Sequence, residues 1–320
     1  MSDRSLAPFI HTYKNAPYIY LTITVSLLPC VFYSIFYYGL RAMVLILFSA
    51  IMFSLSDIGF TRLVHIHNDK DYFDLSSISS GIIFALMLPP DTPLIVVLAG
   101  VLFGSVVIKQ LFGGAGSNIL NPAAGARLIV EVLYPSYMSG FAEGGRERWF
   151  DVASLISMSP KAAEAPDYSR LSFLELLGGN YASFIGTACV LTILLGAVFM
   201  VIKGSMRLYA PISYLISVTA LYRIFVPDGE LLVFLMSSGV VFVAVFMLGD
   251  LTTMPSRFAA GAFAGFVCAV LTVILIINGT GICIALLAPV LTVNYMSFVI
   301  DYFAKTISRR NRRSREVDVL

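Results

Sequence analysis

The chain has 320 residues, of which 58% are hydrophobic and only 12% are charged, and its formal net charge is +2. A soluble domain has roughly 45–50% apolar and about 25% charged residues. The composition therefore excludes an ordinary soluble domain and indicates an integral membrane protein.

Ten segments are predicted to cross the membrane, because a spanning helix needs roughly 17–25 mainly apolar residues. Seven are continuous apolar runs, at 18–38, 42–56, 94–111, 181–202, 208–224, 259–277 and 282–303. Three are short or interrupted, at 78–89, 123–133 and 231–248. The second of these carries Arg127 and Glu131, whose i,i+4 spacing predicts a pair that neutralises itself on one helix face.

The orientation follows from the basic residues near the helix ends. Segment 305–315 holds six Lys or Arg beside the last span, which predicts a cytoplasmic C-terminus. With an even number of spans the N-terminus is cytoplasmic too, and segment 135–180 lies outside. The first 15 residues lack the pattern of a cleaved signal peptide, so the first helix is expected to remain.

An internal repeat divides the chain. The strings "SSGIIFALMLPPDT" from Ser79 and "SSGVVFVAVFMLGDLT" from Ser237 both continue to an Asp-Thr or Asp-Leu-Thr turn. They fall in the third and eighth spans, which run in opposite directions, and this predicts two five-helix halves of inverted topology. The expected divisions are 1–134, the outer segment 135–180, 181–304 and a basic tail at 305–320. Interrupted spans at matching positions point to a binding site between them.

Several local patterns bear on the chemistry of the chain. "KQLFGGAGSNILNPAAGARL", 109–128, predicts a glycine-rich re-entrant turn, with Asn121-Pro122 breaking the chain before a helix starts at Ala123. Asn-Pro-Ala also occurs in aquaporins, which need two such boxes, and only one is present. "HIHND", 65–69, has two histidines without a third ligand nearby and does not favour a metal site. The four cysteines lie singly in apolar runs, which indicates small core residues. Walker, nucleophile-elbow and dinucleotide motifs are missing, and no nucleic-acid partner is expected.

Asp250 is the candidate for ion handling. It follows the interrupted eighth span, at its inner end, where a carboxylate is costly unless it is paired or takes part in an ion path. Thr252, Thr253 and Asn121 are expected to lie with it. The structural alternative is a helix-end aspartate that pairs with Arg257.

The sequence resembles a known family of membrane redox subunits. The motifs "LMLPP", "VIKQLFGGAGSNILNPA", "SFLELLGGN", "FMLGD" with "TTMPSR", and "NYMSFVID" are similar, in order and spacing, to those of the RnfD subunit of the Rnf electron-transport complex and of the B subunit of the sodium-translocating NADH:quinone oxidoreductase. The short N-terminal extension favours the RnfD branch. The resemblance implies an all-α membrane fold of ten helices in two inverted repeats, similar to urea transporters. It also implies a bacterial cytoplasmic membrane and peripheral flavin and iron–sulfur subunits as partners.

The resemblance further implies FMN, attached through a phosphoester to the Thr of an Asp-x-x-Ser-Gly-Ala-Thr motif, with riboflavin as a possible second flavin. The stretch "DVASLIS" occupies that place, with Asp151 and Ser154 as recognition residues and Ser157 as the attachment candidate. Leu155-Ile156 replace the Gly-Ala of the family. A second departure is Gly186-Thr187-Ala188-Cys189, where the family carries an intramembrane Glu.

The leading functional hypothesis is an electron-transfer flavoprotein subunit of an ion pump that moves Na⁺ or H⁺, because a flavin supplies the redox chemistry and the protein positions it. The second is a subunit without covalent flavin that serves as scaffold or ion path. The third is a urea-type channel or transporter that acts alone.

Overall fold

The structure, a computed structural model, describes residues 16–64, 74–112, 114, 118–138, 149–150, 152–156 and 171–317, without the side chains of 154 and 307–317. In these ranges the only regular elements are helices. They are α1 (Ala16–Tyr38), α2 (Leu40–Val64), α3 (Leu75–Leu86), α4 (Leu94–Leu102) with a π-helix (Phe103–Gln110), α5 (Pro122–Leu133), α6 (Pro135–Met138), α7 (Ala153–Ile156), α8 (Phe173–Gly178), α9 (Val190–Lys203), α10 (Tyr209–Phe225), α11 (Leu231–Ser237), α12 (Val240–Phe246), α13 (Phe258–Ile277) and α14 (Ile282–Val317).

Four helical segments are long and apolar enough to cross a bilayer: Ala16–Tyr38, Leu40–Leu63, Phe258–Ile277 and Ile282–Thr306. Shorter apolar helices occupy Leu75–Leu86, Leu94–Gln110 and Val190–Lys203. Large apolar side chains face outward, as Phe36 on α1 and Phe298 on α14 do with 75% and 81% exposure. Such surfaces suit contact with lipid. The expectation of an all-helical, multi-pass membrane protein is therefore confirmed.

The two ends of α2 define the two ends of the helix bundle. Leu40 contacts Trp149, and Asp57 contacts Lys109. Asp57 stands 17 positions after Leu40, which corresponds to about 25 Å along the helix axis. We call these the Trp149 end and the Lys109 end.

The span predicted at 181–202 is wrong in its first half, since α9 begins only at Val190. The preceding chain is irregular but buried, and it pairs its backbone with the break after α3. Ile185 N–H donates to Leu88 O at 3.0 Å, and Gly186 N–H donates to Leu86 O at 2.7 Å. A Cβ on Gly186 would lie 2.5 Å from the Leu86 side chain, so glycine permits the approach. Non-helical backbone is tolerated at membrane depth where such partners satisfy it.

The two Ser-Ser-Gly motifs adopt different conformations. Gly81 lies inside continuous α3 and packs on α2, where Ser49 Oγ donates to Gly81 O at 2.8 Å. Gly239 has φ +86° and separates α11 from α12. The predicted interruption of the eighth span is therefore confirmed, whereas the third span is broken only beyond its motif, after Leu86.

Most of the interior is a large apolar cluster that takes side chains from α1 to α5 and from α9 to α14, and a smaller cluster gathers Leu176, Tyr181 and Ala188. All four cysteines are buried and free, which confirms their interpretation as core residues. Outside the spans, Ser172 and Glu175 form a capping box that starts α8. The Glu175 carboxylate accepts hydrogen bonds from the backbone N–H and the hydroxyl of Ser172. These bonds, the backbone one more strongly, hold the pKa of Glu175 below its ordinary value.

Candidate functional site

Asp250 forms a compact polar turn directly after α12. Its carboxylate accepts hydrogen bonds from Thr252 N–H at 3.0 Å, from Thr252 Oγ1 at 2.8 and 3.0 Å, and from Thr253 Oγ1 at 3.2 Å. These donors are uncharged, and the Arg207 guanidinium adds a favourable electrostatic interaction. The prediction that Asp250, Thr252 and Thr253 lie together is confirmed. Their clustered oxygen atoms are the ligand type that hard cations prefer.

Asn121 has a different role in the structure. Its side-chain oxygen accepts from Ala123 N–H at 3.0 Å and from Ala124 N–H at 3.2 Å, so it caps α5, which begins at Pro122 as the Asn-Pro pair predicts. With the Asn294 amide oriented to satisfy both its atoms, the amide oxygen accepts from Asn121 N–H at 3.2 Å. Asn121 thus joins α5 to α14. Among the described residues, no hydrogen bond links it to Asp250.

A buried charge cluster at the Lys109 end escaped the sequence analysis. Lys109, at the end of the π-helix, is fully buried, and its ammonium donates to Asp57 at 2.9 Å, to Asp74 at 2.7 Å and to Ser77 Oγ at 2.5 Å. Asp57 lies on α2 and also accepts from Ser77 Oγ at 2.6 Å and from the Gln110 amide. If all three ionisable groups are charged, the cluster carries one net negative charge. It ties α2, the start of α3 and the π-helix together.

Lys109 belongs to the glycine-rich motif by sequence, but its partner Asp57 stands 52 residues earlier. The sequence feature that could have indicated this cluster is Asp57, the single acidic residue inside the long apolar helix α2. An ionisable residue within a span is a candidate for function by default. The π-helix is a further indication, since π-helical turns occur frequently at functional sites.

Arg127 forms a second buried centre, beside the break after α3. Its Nη1 donates to Glu131 at 2.6 Å, so the predicted i,i+4 pair is confirmed. It also donates from Nε to Met87 O at 2.8 Å and from Nη2 to Cys283 Sγ at 3.1 Å, and it lies 5.3 Å from the Phe184 ring centre. Arg127 therefore connects α5 to the α3 break and to α14, which spacing alone does not reveal.

Trp149, in segment 135–180, is anchored at the turn between α1 and α2. Leu40 N–H donates to Trp149 O at 2.8 Å, and Trp149 Nε1 donates to Phe36 O at 3.1 Å. Gly39, at φ +71°, lets Trp149 pack directly on the turn, because a Cβ there would lie 2.6 Å from Trp149 O. Leu155 on α7 is buried in the core. These contacts fix the segment to the Trp149 end.

The flavin motif falls mostly outside the described residues. Asp151 and Ser157 lie beyond them, and Ser154 is described only as backbone within α7. Of the two residues that depart from the family motif, Leu155 is 2% exposed and packs inward, whereas Ile156 is 78% exposed. Leu155 therefore anchors α7.

Comparison with known proteins identifies the family. The model of the NQR2, RnfD, RnfE family matches residues 4–309. The chain belongs to this family. The match covers α1 to α13, most of α14, segment 135–180 and the polar centres described above, so the resemblance seen in the motifs holds for nearly the whole chain.

Two family relatives illustrate the likeness. The chain is 25% identical, over 275 residues, to the D subunit of the Na⁺-translocating ferredoxin:NAD⁺ oxidoreductase complex of Acetobacterium woodii, with 86% of this chain and 85% of that protein covered. It is 26% identical, over 256 residues, to the B subunit of the Na⁺-translocating NADH-quinone reductase of Neisseria meningitidis, with 74% of this chain but only 61% of that protein covered.

A higher local identity occurs with the B subunit of the Na⁺-translocating NADH-quinone reductase of Pseudoalteromonas atlantica. There 35% of 123 residues are identical, over 38% of this chain and 30% of that protein. All three family members carry names of ion-translocating redox complexes.

Proposed function

We propose that the chain is a membrane subunit of an Rnf-type complex that couples electron transfer through flavins to the movement of Na⁺ or H⁺. The family match over residues 4–309 is the observation that carries this proposal. Buried charged centres within an apolar bundle support it, because charges at membrane depth are costly and mark ion or proton pathways. The partners would be the other membrane subunits and the peripheral flavin and iron–sulfur subunits of such a complex.

The proposed architecture is ten spans in two inverted repeats, as in urea transporters. A repeated charge pairing supports it. In the first half Arg41, near the start of α2, contacts Asp91 at 2.5 Å in the break after α3. In the second half Arg207, just before α10, interacts electrostatically with Asp250 in the break after α12. In each half an arginine at or just before the start of the second helix thus interacts with an aspartate in the break of the third helix.

Within this architecture, residues 1–134 and 181–304 are the two halves, 135–180 is the outer segment and 305–320 is a basic tail. We place the chain in the bacterial cytoplasmic membrane with both termini cytoplasmic. The Trp149 end then faces outward and the Lys109 end faces the cytoplasm.

FMN is proposed to be attached at Ser157, with Ser154 and Asp151 as recognition residues. In that step the Ser157 hydroxyl oxygen bonds to the flavin phosphorus of a flavin adenine dinucleotide, AMP leaves, and the hydroxyl proton passes to solvent. The burial of Leu155 supports the fit, because it fixes the segment while Ile156 next to the acceptor faces outward. Once bound, the flavin supplies the electron-carrying chemistry.

Riboflavin is the second proposed flavin. Within the described ranges, the buried side-chain oxygen of Asn118 has no hydrogen-bond partner. A buried acceptor without a partner is costly, so this atom is suited to accept from a ligand N–H or hydroxyl group.

The ion path is proposed to include Asp250, Thr252, Thr253 and Asn121. A matched pair of variants tests it in inverted membrane vesicles that contain the whole complex. Asp250→Ala should slow Na⁺ or H⁺ uptake driven by the electron donor, with unchanged flavin content. Asp228→Ala, at an exposed carboxylate in the turn after α10, should leave uptake as in the unaltered protein. Equal uptake in both variants would remove Asp250 from the path.

The replacement of Gly-Ala by Leu155-Ile156 favours one alternative, a subunit that serves as scaffold or ion path without covalent flavin. A colourless protein that still supports uptake in the complex would establish that alternative. Urea flux through the chain alone, without an electron donor, would instead indicate a channel or transporter.

A further inference from the structure

Arg41 has an unusual hydrogen-bond deficit. Its side chain, near the start of α2, is fully buried. The guanidinium carries five N–H donors, and its Nη1 contacts Asp91 Oδ1 at 2.5 Å. The Nε and Nη2 atoms are buried and have no hydrogen-bond partner among the described residues. Since nearly all buried polar groups in folded proteins have partners, such a group calls for a ligand.

The unpaired atoms have a specific geometry. Nε and Nη2 lie on one edge of the planar guanidinium, and this edge donates two parallel hydrogen bonds to two oxygens of one group. Asp91 contacts only Nη1, so that buried edge keeps its donors unused within the described part of the chain. Phosphate and carboxylate are the groups that arginine binds in this bidentate way.

The attachment proposed at Ser157 favours phosphate over carboxylate as the group that Arg41 binds. Leu40, its neighbour, accepts the outer segment through the hydrogen bond to Trp149 O. Ser157 stands eight residues after Trp149, a length that spans at most about 28 Å when extended. The chain length alone therefore permits a phosphoester on Ser157 to reach this end of the bundle.

We infer that Arg41 is the anion-binding residue of a phosphate site at the Trp149 end, with its Nε–Nη2 edge on two phosphate oxygens. The phosphate belongs either to FMN on the outer segment or to a free phosphate-bearing molecule. The first source and the choice of phosphate over carboxylate rest on the proposed attachment at Ser157, whereas the need of the Nε–Nη2 edge for an anionic partner does not.

The test compares full-length chains purified with and without flavin transferase in the producing cells. Binding of ³²P-labelled inorganic phosphate is measured by equilibrium dialysis. Arg41→Lys keeps a cation for Asp91 but removes the bidentate edge, and Arg41→Gln with Asp91→Asn removes the pair without leaving a lone charge. Arg223→Gln, at an exposed arginine of α10, is the matched control.

The chain made without transferase should bind phosphate, as should Arg223→Gln, and both Arg41 variants should bind it at least about tenfold more weakly. If the flavin-loaded chain no longer binds phosphate, its own phosphoester fills the site. Binding by loaded and unloaded chains alike assigns the site to a free phosphate. Phosphate binding that is equal in wild type and Arg41→Lys, or absent from both, overturns the inference.

Mass analysis of the 149–161 peptide separates this outcome from that of the proposed function. An unmodified peptide together with Arg41-dependent phosphate binding would reject attachment at Ser157 and retain the Arg41 site.

Discussion

Replacing Lys109 tests whether the cluster at the Lys109 end holds the bundle together. Lys109→Met removes an ammonium that donates to three acceptors at 2.5–2.9 Å. The Asp57 side chain is 6% exposed and the Asp74 side chain is 24% exposed, and both carboxylates lose their cation in the variant. Removing one partner of a buried ion pair costs about 3–5 kcal/mol. Because Asp74 is partly solvated and Asp57 keeps its bond from Ser77, we expect a loss near the lower limit, about 3 kcal/mol.

The assay is equilibrium unfolding of the purified chain in mixed micelles. Lys203→Met, at an exposed lysine of α9, is the matched control, and it should cost under about 1 kcal/mol because exposed charges contribute little. Combining Lys109→Met with Asp57→Asn and Asp74→Asn should recover most of the loss, since no lone charge remains. A Lys109→Met chain as stable as Lys203→Met would refute the role of the cluster.

Three further predictions concern the other centres. Arg127→Lys should lower the free energy of unfolding by about 1–3 kcal/mol, because the buried Met87 O loses its donor; unchanged unfolding would contradict its bridging role. Gly39→Ala should displace the outer segment, because it adds left-handed strain and a clash with Trp149; emission of this sole tryptophan should shift to the red, and an unshifted spectrum would count against the anchor. A cysteine introduced at Ala162 should react with an impermeant maleimide in intact cells; reaction only after lysis would reverse the topology.

Hydropathy predicted the helices that face lipid, and it did so because their pattern is local. The predicted runs 18–38, 208–224, 259–277 and 282–303 all correspond to helices, although α14 extends beyond the last one to Val317. Asn121-Pro122 likewise predicted the start of α5, since a cap and a proline act within one turn.

Features that depend on distant contacts could not be predicted. Residues 181–189 are as apolar as a span, but their backbone pairs with Leu86 and Leu88, about a hundred residues away in sequence. The same Ser-Ser-Gly string is helical at Gly81 and broken at Gly239.

The candidate sites also divide into those set by local sequence and those set by distant contacts. The Asp250 turn was predictable because its donors lie within three residues. The Lys109 cluster was not, because packing of separate helices brings its members together. Arg41 was missed because an unpaired donor becomes visible only once all its neighbours are placed.

The central claim is that this subunit carries electrons on a flavin of its own. It is tested most directly by unfolding the chain, produced together with its flavin transferase, and measuring the mass of the 149–161 peptide. Attachment at Ser157 would give this peptide a mass increased by FMN less one water, and the unfolded chain a flavin spectrum that persists in denaturant. An unmodified peptide from a colourless chain would contradict it.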